Sequence, residues 1–451
     1  MKKVHFISIG GSIMHSLAIA LKNRGYKVTG SDNEIYDPSK SKLEENDLLP
    51  EPGWFPEKIS ADLDAVIVGM HAQPGNEELE RAKELGINIY SFPDYIYEES
   101  LNKQRIVIAG SHGKTTITAM IIHVLKYAKK EFDYLVGAEI NGIDNLVKLN
   151  DAPIIIIEGD EYFCSPVDKT PKFLRYKHHM ALLSGIAWDH INAYPTFDEY
   201  VHQFDEFTDA TPKAGSIVFC GDDNLATMLG TKERPDVNRL EYTTHPYVIK
   251  DGDTYLKTAT GDVKIKVFGK HNLQNIAGAL TLLKRIGITE EVFYKAIQSF
   301  EGAKKRLQKL GENGNSAVFI DYAHAPSKVA ATTSAIKEQF PKRELLACLE
   351  LHTYSSLNRD FIGQYAETLS GADKAIIYIN PNNLKLKDGQ QVDESEVSAA
   401  FSHDNLTVTT DINFLKSQLE SETWDKKNLL MMSSGHFANL DITKITDKVL
   451  N

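Results

Sequence analysis

Residues 106–116 read Ile106-Val107-Ile108-Ala109-Gly110-Ser111-His112-Gly113-Lys114-Thr115-Thr116. An apolar, β-rich run ends at Gly110, a tight turn follows, and residues 117–130 have the composition of a helix. Strand, glycine turn and helix together make a phosphate cradle. Glycine lets backbone N–H groups approach phosphate oxygens with no Cβ in the way. The helix N-terminus adds its partial positive charge. Lys114 is placed to reach the terminal phosphates of a nucleotide, and the Thr115 hydroxyl to ligate Mg²⁺. The spacing G-x-x-G-K-T is shorter than the common G-x-x-x-x-G-K-[ST], so the assignment rests on the strand before the turn and the helix after it. Gly110, Ser111, His112, Gly113, Lys114, Thr115 and Thr116 are the expected nucleotide-binding residues.

The chain around this loop has 451 residues, room for roughly three domains at about 150 residues each. Apolar residues make up 42% and charged residues 25%, which suits a water-soluble protein with real cores. The net charge of −12 argues against a general nucleic-acid binder and requires local basic groups wherever an anion is held. Cys164, Cys220 and Cys348 are widely spaced. They suggest neither a disulfide framework nor a zinc motif, so a cytoplasmic, reducing location is expected. Met1-Lys2-Lys3 and the short apolar run after it lead into Gly10-Gly11-Ser12 with no small-residue cleavage site, and read as a first strand and its turn. No apolar run approaches the ~20 residues of a membrane span.

Residues 4–9 (strand), 13–23 (helix) and 27–32 (strand) form a βαβ unit whose second strand ends in Asp32, placed for a ribose hydroxyl. Ser8 and Ile13 stand where two fingerprint glycines would be. The unit therefore fits NAD poorly and stays compatible with a nucleotide sugar. Residues 154–157 are four isoleucines, a buried parallel strand. Glu158, Asp160 and Glu161 follow at its C-terminal end, where open α/β sheets bind ligands. Charged carboxylates cannot share one core, so a metal beside nucleotide phosphates accounts for the cluster, with a solvated strand end as the plain alternative. His190 is expected just past a strand at 181–186. Residues 254–259 and 263–267 read as a β-hairpin. His271, Asn272 and Asn275 precede a helix at 276–286. Residues 303–306 read as a hinge, and 317–321 as a strand running into Asp321-Tyr322-Ala323-His324-Ala325-Pro326. Helices at 327–339 and 360–369, and strands at 344–349, 375–379 and 428–432, complete a last α/β layer structure.

The phosphate loop, the acid-tipped strand, the strand-end histidine, His271-Asn272-x-x-Asn275 and Asp321-Tyr322-Ala323-His324 occur in one order along the chain. Together they resemble the Mur ligase family over nearly its whole length. The resemblance implies an α/β fold of three domains: a Rossmann-like UDP-sugar domain at 1–102, a central phosphate-loop ATPase domain at 103–302, and a C-terminal Rossmann-like domain at 303–451 that binds the amine substrate. It implies amide-bond formation from ATP through an acyl phosphate, with Mg²⁺. By position, Lys114 matches the phosphate-loop lysine and Thr115, Glu161 and His190 the metal residues. His271, Asn272 and Asn275 match the adenine side, and Arg306 the hinge arginine. Asp321 matches the ribose aspartate, with His324 nearby, and Gly10, Gly11, Ser12 and Asp32 the UDP end.

Asp160-Glu161-Tyr162-x-Cys164 and Asp168-Lys169-x-x-Lys172-Phe173-x-x-Tyr176 resemble the branch that joins L-Ala-γ-D-Glu-meso-diaminopimelate to UDP-N-acetylmuramate in peptidoglycan recycling. The neighbouring branch adds L-alanine to the same sugar and usually lacks this insertion. Residues 200–207 offer no lysine for the carbamylated metal bridge of other members, as in both these branches. Ser8 and Gly159 depart from the family pattern, and His352-Thr353-Tyr354 lacks an arginine found in many alanine-adding members. The partners expected are the sugar nucleotide and a peptide or amino-acid amine, with no nucleic acid or membrane, in a monomer or weak homodimer. Two readings from other classes are an NAD-dependent oxidoreductase on the first βαβ unit and an ATP-binding regulator without ligation.

Overall fold

The computed structural model describes residues 1–70, 72–165, 168–381 and 393–451. Packing divides the chain into two units. One comprises Met1–Ile186, Asp198–Tyr242 and Gly278–Thr289; the other comprises Ala187–Phe197, Thr243–Ala277 and Glu290–Asn451.

The first unit holds two sheets. The N-terminal one is parallel, in the order Lys27–Ser31, Lys3–Ile7, Ala65–Val68, Ile89–Ser91. Its first strand is buried from Val4 onward because both faces are covered. That strand ends at Ile7, and the φ of +65° at Ser8 turns the chain at the position where the family pattern has glycine. The helix Ser12–Asn23 follows. The second sheet has seven strands in the order Asn238–Tyr242, Ser216–Cys220, Met180–Leu183, Gln104–Ala109, Ile154–Glu158, Asp133–Leu135, Val147–Lys148. Only the last pairing is antiparallel. Ile106, Val107 and Ile108 lie directly beside Ile156, Ile157 and Glu158. This register brings the phosphate loop and the acidic segment to the same sheet edge.

The second unit holds an antiparallel three-stranded sheet, Tyr247–Lys250, Asp253–Thr258 and Gly261–Ile265. The expected hairpin at 254–267 is its second and third strands. The other sheet runs Gln308–Glu312, Ala317–Asp321, Lys427–Met432, Glu344–Leu351, Lys374–Ile379, Leu406–Thr409, parallel except for its first strand. Phe268 and Phe319 meet edge to face at 5.7 Å in its core, a favoured aromatic geometry. The four-, seven- and six-stranded sheets, in sequence order, make the chain a three-domain α/β protein.

Several expected elements need correction. The helix expected at 360–369 is a 3₁₀ turn, Ile362–Tyr365. Phe361, Tyr365 and Leu369 repeat every four residues and are all buried, which imitates a helical face. Ala366 is extended (φ −51°, ψ 129°) and Glu367 left-handed (φ +60°), so the chain breaks there. The helix expected from 276 begins at Lys270, after Gly269 at φ +87°. His271, Asn272 and Asn275 therefore lie within its opening turns. The strand expected at 181–186 is Met180–Leu183, so His190 sits in the following loop, itself left-handed at φ +56°.

Candidate active site

The phosphate-loop helix spans Lys114–Tyr127, three residues earlier than expected, so Lys114 is its first helical residue. Gly113 at φ +75° caps it. Gly110 has φ +126°, and a Cβ there would lie 2.2 Å from Ser184 Oγ and 3.0 Å from the Gly185 carbonyl. The loop is tied down on that side. The Ser111 N–H donates to Gly185 O at 2.9 Å, and the Ser184 hydroxyl donates to the carbonyl of His112. Gly110→Ala is expected to weaken ATP binding about tenfold, from ~1–3 kcal/mol of backbone strain, with titration calorimetry as the check.

The acid cluster resolves into three separate pairings. The Thr115 hydroxyl donates to Glu158 Oε1 at 2.6 Å, and the Gly137 N–H to Glu158 Oε2 at 2.8 Å. Lys114 donates to Glu161 Oε2 at 2.7 Å and to the Gly110 carbonyl at 2.7 Å. Asp160 takes the Lys172 ammonium at 2.6 Å. Burial alone would lower the Lys114 pKa, but Glu161, with Asp160 and Glu158 behind it, holds it above the ordinary lysine value. At Gly159, between these acids, a Cβ would sit 2.6 Å from Val107 Cγ1, so an alanine there would press on the neighbouring strand.

The residue that meets Thr115 is thus Glu158, and Glu161 instead meets Lys114. Sequence reading put both in one acid cluster without dividing their partners. Among the described residues, no group of three or more His, Cys, Asp or Glu could hold a metal. A hydroxyl and a carboxylate beside a phosphate loop nevertheless fit Mg²⁺, which takes hard oxygen ligands and completes its shell with substrate phosphates and water.

In the N-terminal sheet, the Gly10 N–H donates to Asp32 Oδ2 at 2.8 Å. A Cβ at Gly10 would lie 2.9 Å from that oxygen and 2.8 Å from Ile35. Asp32 thereby shapes the Gly10-Gly11-Ser12 turn, and its Oδ1 accepts the Asn33 N–H.

His190, His271, Asn272, Asn275, Arg306, Asp321 and His324 belong to the second unit. Asp321 is buried; it accepts from the Leu307 and Ala323 N–H groups and the Thr332 hydroxyl. Burial raises its pKa against the pull of Arg306. The Arg306 guanidinium lies 5.0 Å over the Tyr322 ring. His324 Nδ1–H donates to the Tyr322 carbonyl at 2.8 Å, and burial beside Lys328 pushes its pKa down to about 4. Burial also lowers His271 to about 4, so both imidazoles are neutral at pH 7. Asp189, missed in the sequence, accepts the His190 N–H at 2.8 Å and pairs with Lys328 at 3.0 Å. Despite burial, Lys328 and the neighbouring histidines hold Asp189 well below the usual carboxylate range. Asn272 donates to the Phe268 carbonyl at 2.9 Å, a cap inside the helix it helps start.

Comparison with known proteins gives a consistent picture. Residues 3–104 match a family model described as Mur ligase family, catalytic domain; residues 108–283 match the Mur ligase middle domain; residues 305–435 match the Mur ligase, glutamate ligase domain. The chain is 32% identical over 390 residues to UDP-N-acetylmuramate–L-alanine ligase of Carboxydothermus hydrogenoformans, covering 84% of this chain and 82% of that one. It is 28% identical over 466 residues to UDP-N-acetylmuramate–L-alanyl-γ-D-glutamyl-meso-2,6-diaminoheptandioate ligase of Haemophilus influenzae, covering 100% and 99%. In fold it is similar to a murein peptide ligase of Psychrobacter arcticus, with TM-score 0.65, 22% identity, and 100% and 99% of the two chains covered.

Proposed function

The chain belongs to the Mur ligase family and is an ATP-dependent amide-forming ligase of peptidoglycan building; on that footing we propose that it joins L-Ala-γ-D-Glu-meso-diaminopimelate to the lactyl carboxylate of UDP-N-acetylmuramate. We assign residues 1–102 to the sugar nucleotide, 103–302 to ATP and 303–451 to the amine. The observation that carries the reaction is the constellation of Lys114 and Thr115, at the end of a glycine phosphate loop, with the buried acids Glu158 and Glu161. The peptide as amine is supported by the end-to-end match to the tripeptide-adding relative. The segment at 160–176 adds to this: it starts at the acids and is folded on itself by Asp160–Lys172 and Asp168–Arg175, each 2.6 Å. Pro166 and Val167 of that segment lie outside the described residues. The higher identity to an alanine-adding relative supports the second reading, L-alanine as amine.

The proposed reaction needs no protein nucleophile. A lactyl carboxylate oxygen bonds to the γ-phosphorus of ATP and the bond to ADP breaks, leaving an acyl phosphate. The peptide α-amine, in its neutral form, then attacks the acyl carbon; inorganic phosphate leaves and the amine proton passes to solvent or phosphate. Lys114 spreads the charge that develops on the γ-phosphoryl group. Thr115 and Glu158 would hold Mg²⁺, with Glu161 and His190 as the further residues the family pattern supplies; when bound, the ion neutralises phosphate charge. Arg306, Asp321 and His324 would meet the ribose and phosphate side of the nucleotide, and His271, Asn272 and Asn275 the adenine side. Gly10, Gly11, Ser12 and Asp32 would meet the uridine diphosphate.

The deciding assay measures phosphate release from ATP, Mg²⁺ and UDP-N-acetylmuramate with either the tripeptide or L-alanine, with the product mass checked. Turnover with the tripeptide alone is expected. Turnover with L-alanine alone would keep the reaction and overturn the choice of amine. Absence of phosphate release with either amine, despite ATP binding, would favour a regulator.

A further inference from the structure

We propose that Tyr200 is a positioning residue for the phosphate-loop lysine, acting through Glu161 and Ser111. Tyr200 lies in the helix Phe197–Asp209 and is fully buried. Its ring stands edge-on to Phe204 at 5.2 Å; Phe204 stands edge-on to Phe173 at 5.4 Å, and Phe173 stacks on Phe207 at 4.6 Å. A phenylalanine would fill the same place in this ladder, so packing alone does not call for the hydroxyl.

The hydroxyl is 2.8 Å from Ser111 Oγ and 3.2 Å from Glu161 Oε1. Tyrosine has one proton to give, and an ionised carboxylate only accepts. Tyr200 therefore donates to Glu161, and Ser111 donates to Tyr200. The other Glu161 oxygen takes the Lys114 ammonium, which also donates to the Gly110 carbonyl. The chain of hydrogen bonds leaves the phosphate loop at Ser111 and returns to it at Gly110, through a residue 89 positions away.

This circuit determines how readily Lys114 is released. To reach a phosphate, Lys114 must loosen its hold on a carboxylate that is 1% exposed. A buried acceptor that loses a hydrogen bond regains part of its desolvation penalty. Tyr200 keeps one hydrogen bond on Glu161 throughout, and so lowers the cost of that exchange and stops the carboxylate from following the lysine. The inference rests on the reading of Lys114 as the lysine that contacts phosphate.

The test uses the full-length chain carrying Tyr200→Phe, Ser111→Ala or both. Tyr200→Phe is expected to raise the Kd for ATP about fivefold and lower kcat about tenfold. The KM for the sugar nucleotide stays unchanged, and the thermal midpoint falls only slightly, because Lys114 still holds Glu161 in the resting state. Ser111→Ala gives a smaller effect in the same direction, and the double variant is no worse than Tyr200→Phe, because both cut one circuit. Unchanged ATP affinity and kcat, or additive losses, would overturn the proposal. If Tyr200→Phe does not fold, Ser111→Ala, which leaves the ring in place, decides by the same readouts. If the wild-type chain binds ATP but does not ligate, the proposed reaction fails, and the circuit still stands or falls on the ATP affinities.

Discussion

Replacing Lys114 by alanine will remove ligation and destabilise the central sheet at the same time. The first effect follows from charge. A donor aimed at developing charge in a water-poor site contributes roughly 10²–10³ in kcat, and Lys114 is the first residue of the helix that follows the phosphate loop. The second effect follows from what the substitution leaves behind. Glu161 is 1% exposed and loses the ammonium that it meets at 2.7 Å. Removing one partner of a buried ion pair typically costs about 3–5 kcal/mol; the Tyr200 hydrogen bond that remains on Glu161 puts the expected value near the lower end. Urea unfolding of Lys114→Ala should show a lower midpoint for the transition that reports the central sheet. Adding Glu161→Gln makes the remaining group neutral and is expected to restore most of that midpoint while activity stays absent. Normal turnover in Lys114→Ala would sink the assignment of the phosphate loop. An unchanged midpoint would show that Glu161 finds another partner.

How far sequence alone carried this site depends on the range of each interaction. The strand-turn-helix around Gly110 is local, and composition announces it. The run Ile154 to Ile157 announces a strand buried on both faces in the same way, and the register between it and residues 106–108 follows from both belonging to one parallel sheet. What stayed hidden was which acid meets which partner. Glu158, Asp160 and Glu161 fall within four positions, but the strand ends at Glu158 and the irregular chain after it sends them to Thr115, Lys172 and Lys114 respectively. No periodicity records such a division. Tyr200 was equally invisible, since its partners come from the phosphate loop and the acidic segment, and Asp189 drew no notice because Lys328, its partner, is 139 positions away. The missed start of the helix at Lys270 has a different cause. Polar residues in opening turns look like a loop, and here Asn272 uses its amide to cap the Phe268 carbonyl from inside the helix. At 360–369 the error ran the other way: apolar spacing suited a helix, but the extended Ala366 and the left-handed Glu367 stop it.

Glu78→Ala is expected to cost about 3–5 kcal/mol in the N-terminal sheet, although Glu78 is far in sequence from the phosphate loop. His5 and Glu78 are both 0% exposed, with His5 Nε2 3.2 Å from Glu78 Oε2. The other carboxylate oxygen accepts the Phe55 N–H at 2.7 Å, and His5 Nδ1 meets the Thr29 hydroxyl at 2.8 Å. This one pair therefore joins the first strand, the second strand, the loop at Phe55 and the helix Glu77–Glu84. Truncating either member strands the other in the core. Replacing both at once, by His5→Phe with Glu78→Leu, removes the buried charge together with its partner and is expected to cost less than either single truncation. The pair also sets a pH dependence. Burial pushes the Glu78 carboxyl up, but hydrogen bonds from His5 and the Phe55 N–H outweigh it, and the folded value lies below 4.5. The unfolded state then binds the proton more tightly, so this stability is fully present above 4.5 and is lost as pH falls through the folded value. Urea midpoints of wild type and Glu78→Gln, taken from pH 7 down to pH 3, should therefore converge at the acid end. A constant gap across that range would mean that Glu78 is held by shape and not by charge. Because the first strand ends at the turn formed by Ser8, Gly10 and Gly11, the truncated variant is also expected to bind UDP-N-acetylmuramate more weakly while its ATP affinity is unchanged; equal losses for both ligands would show that the damage is global unfolding and not local to the sheet that carries the turn.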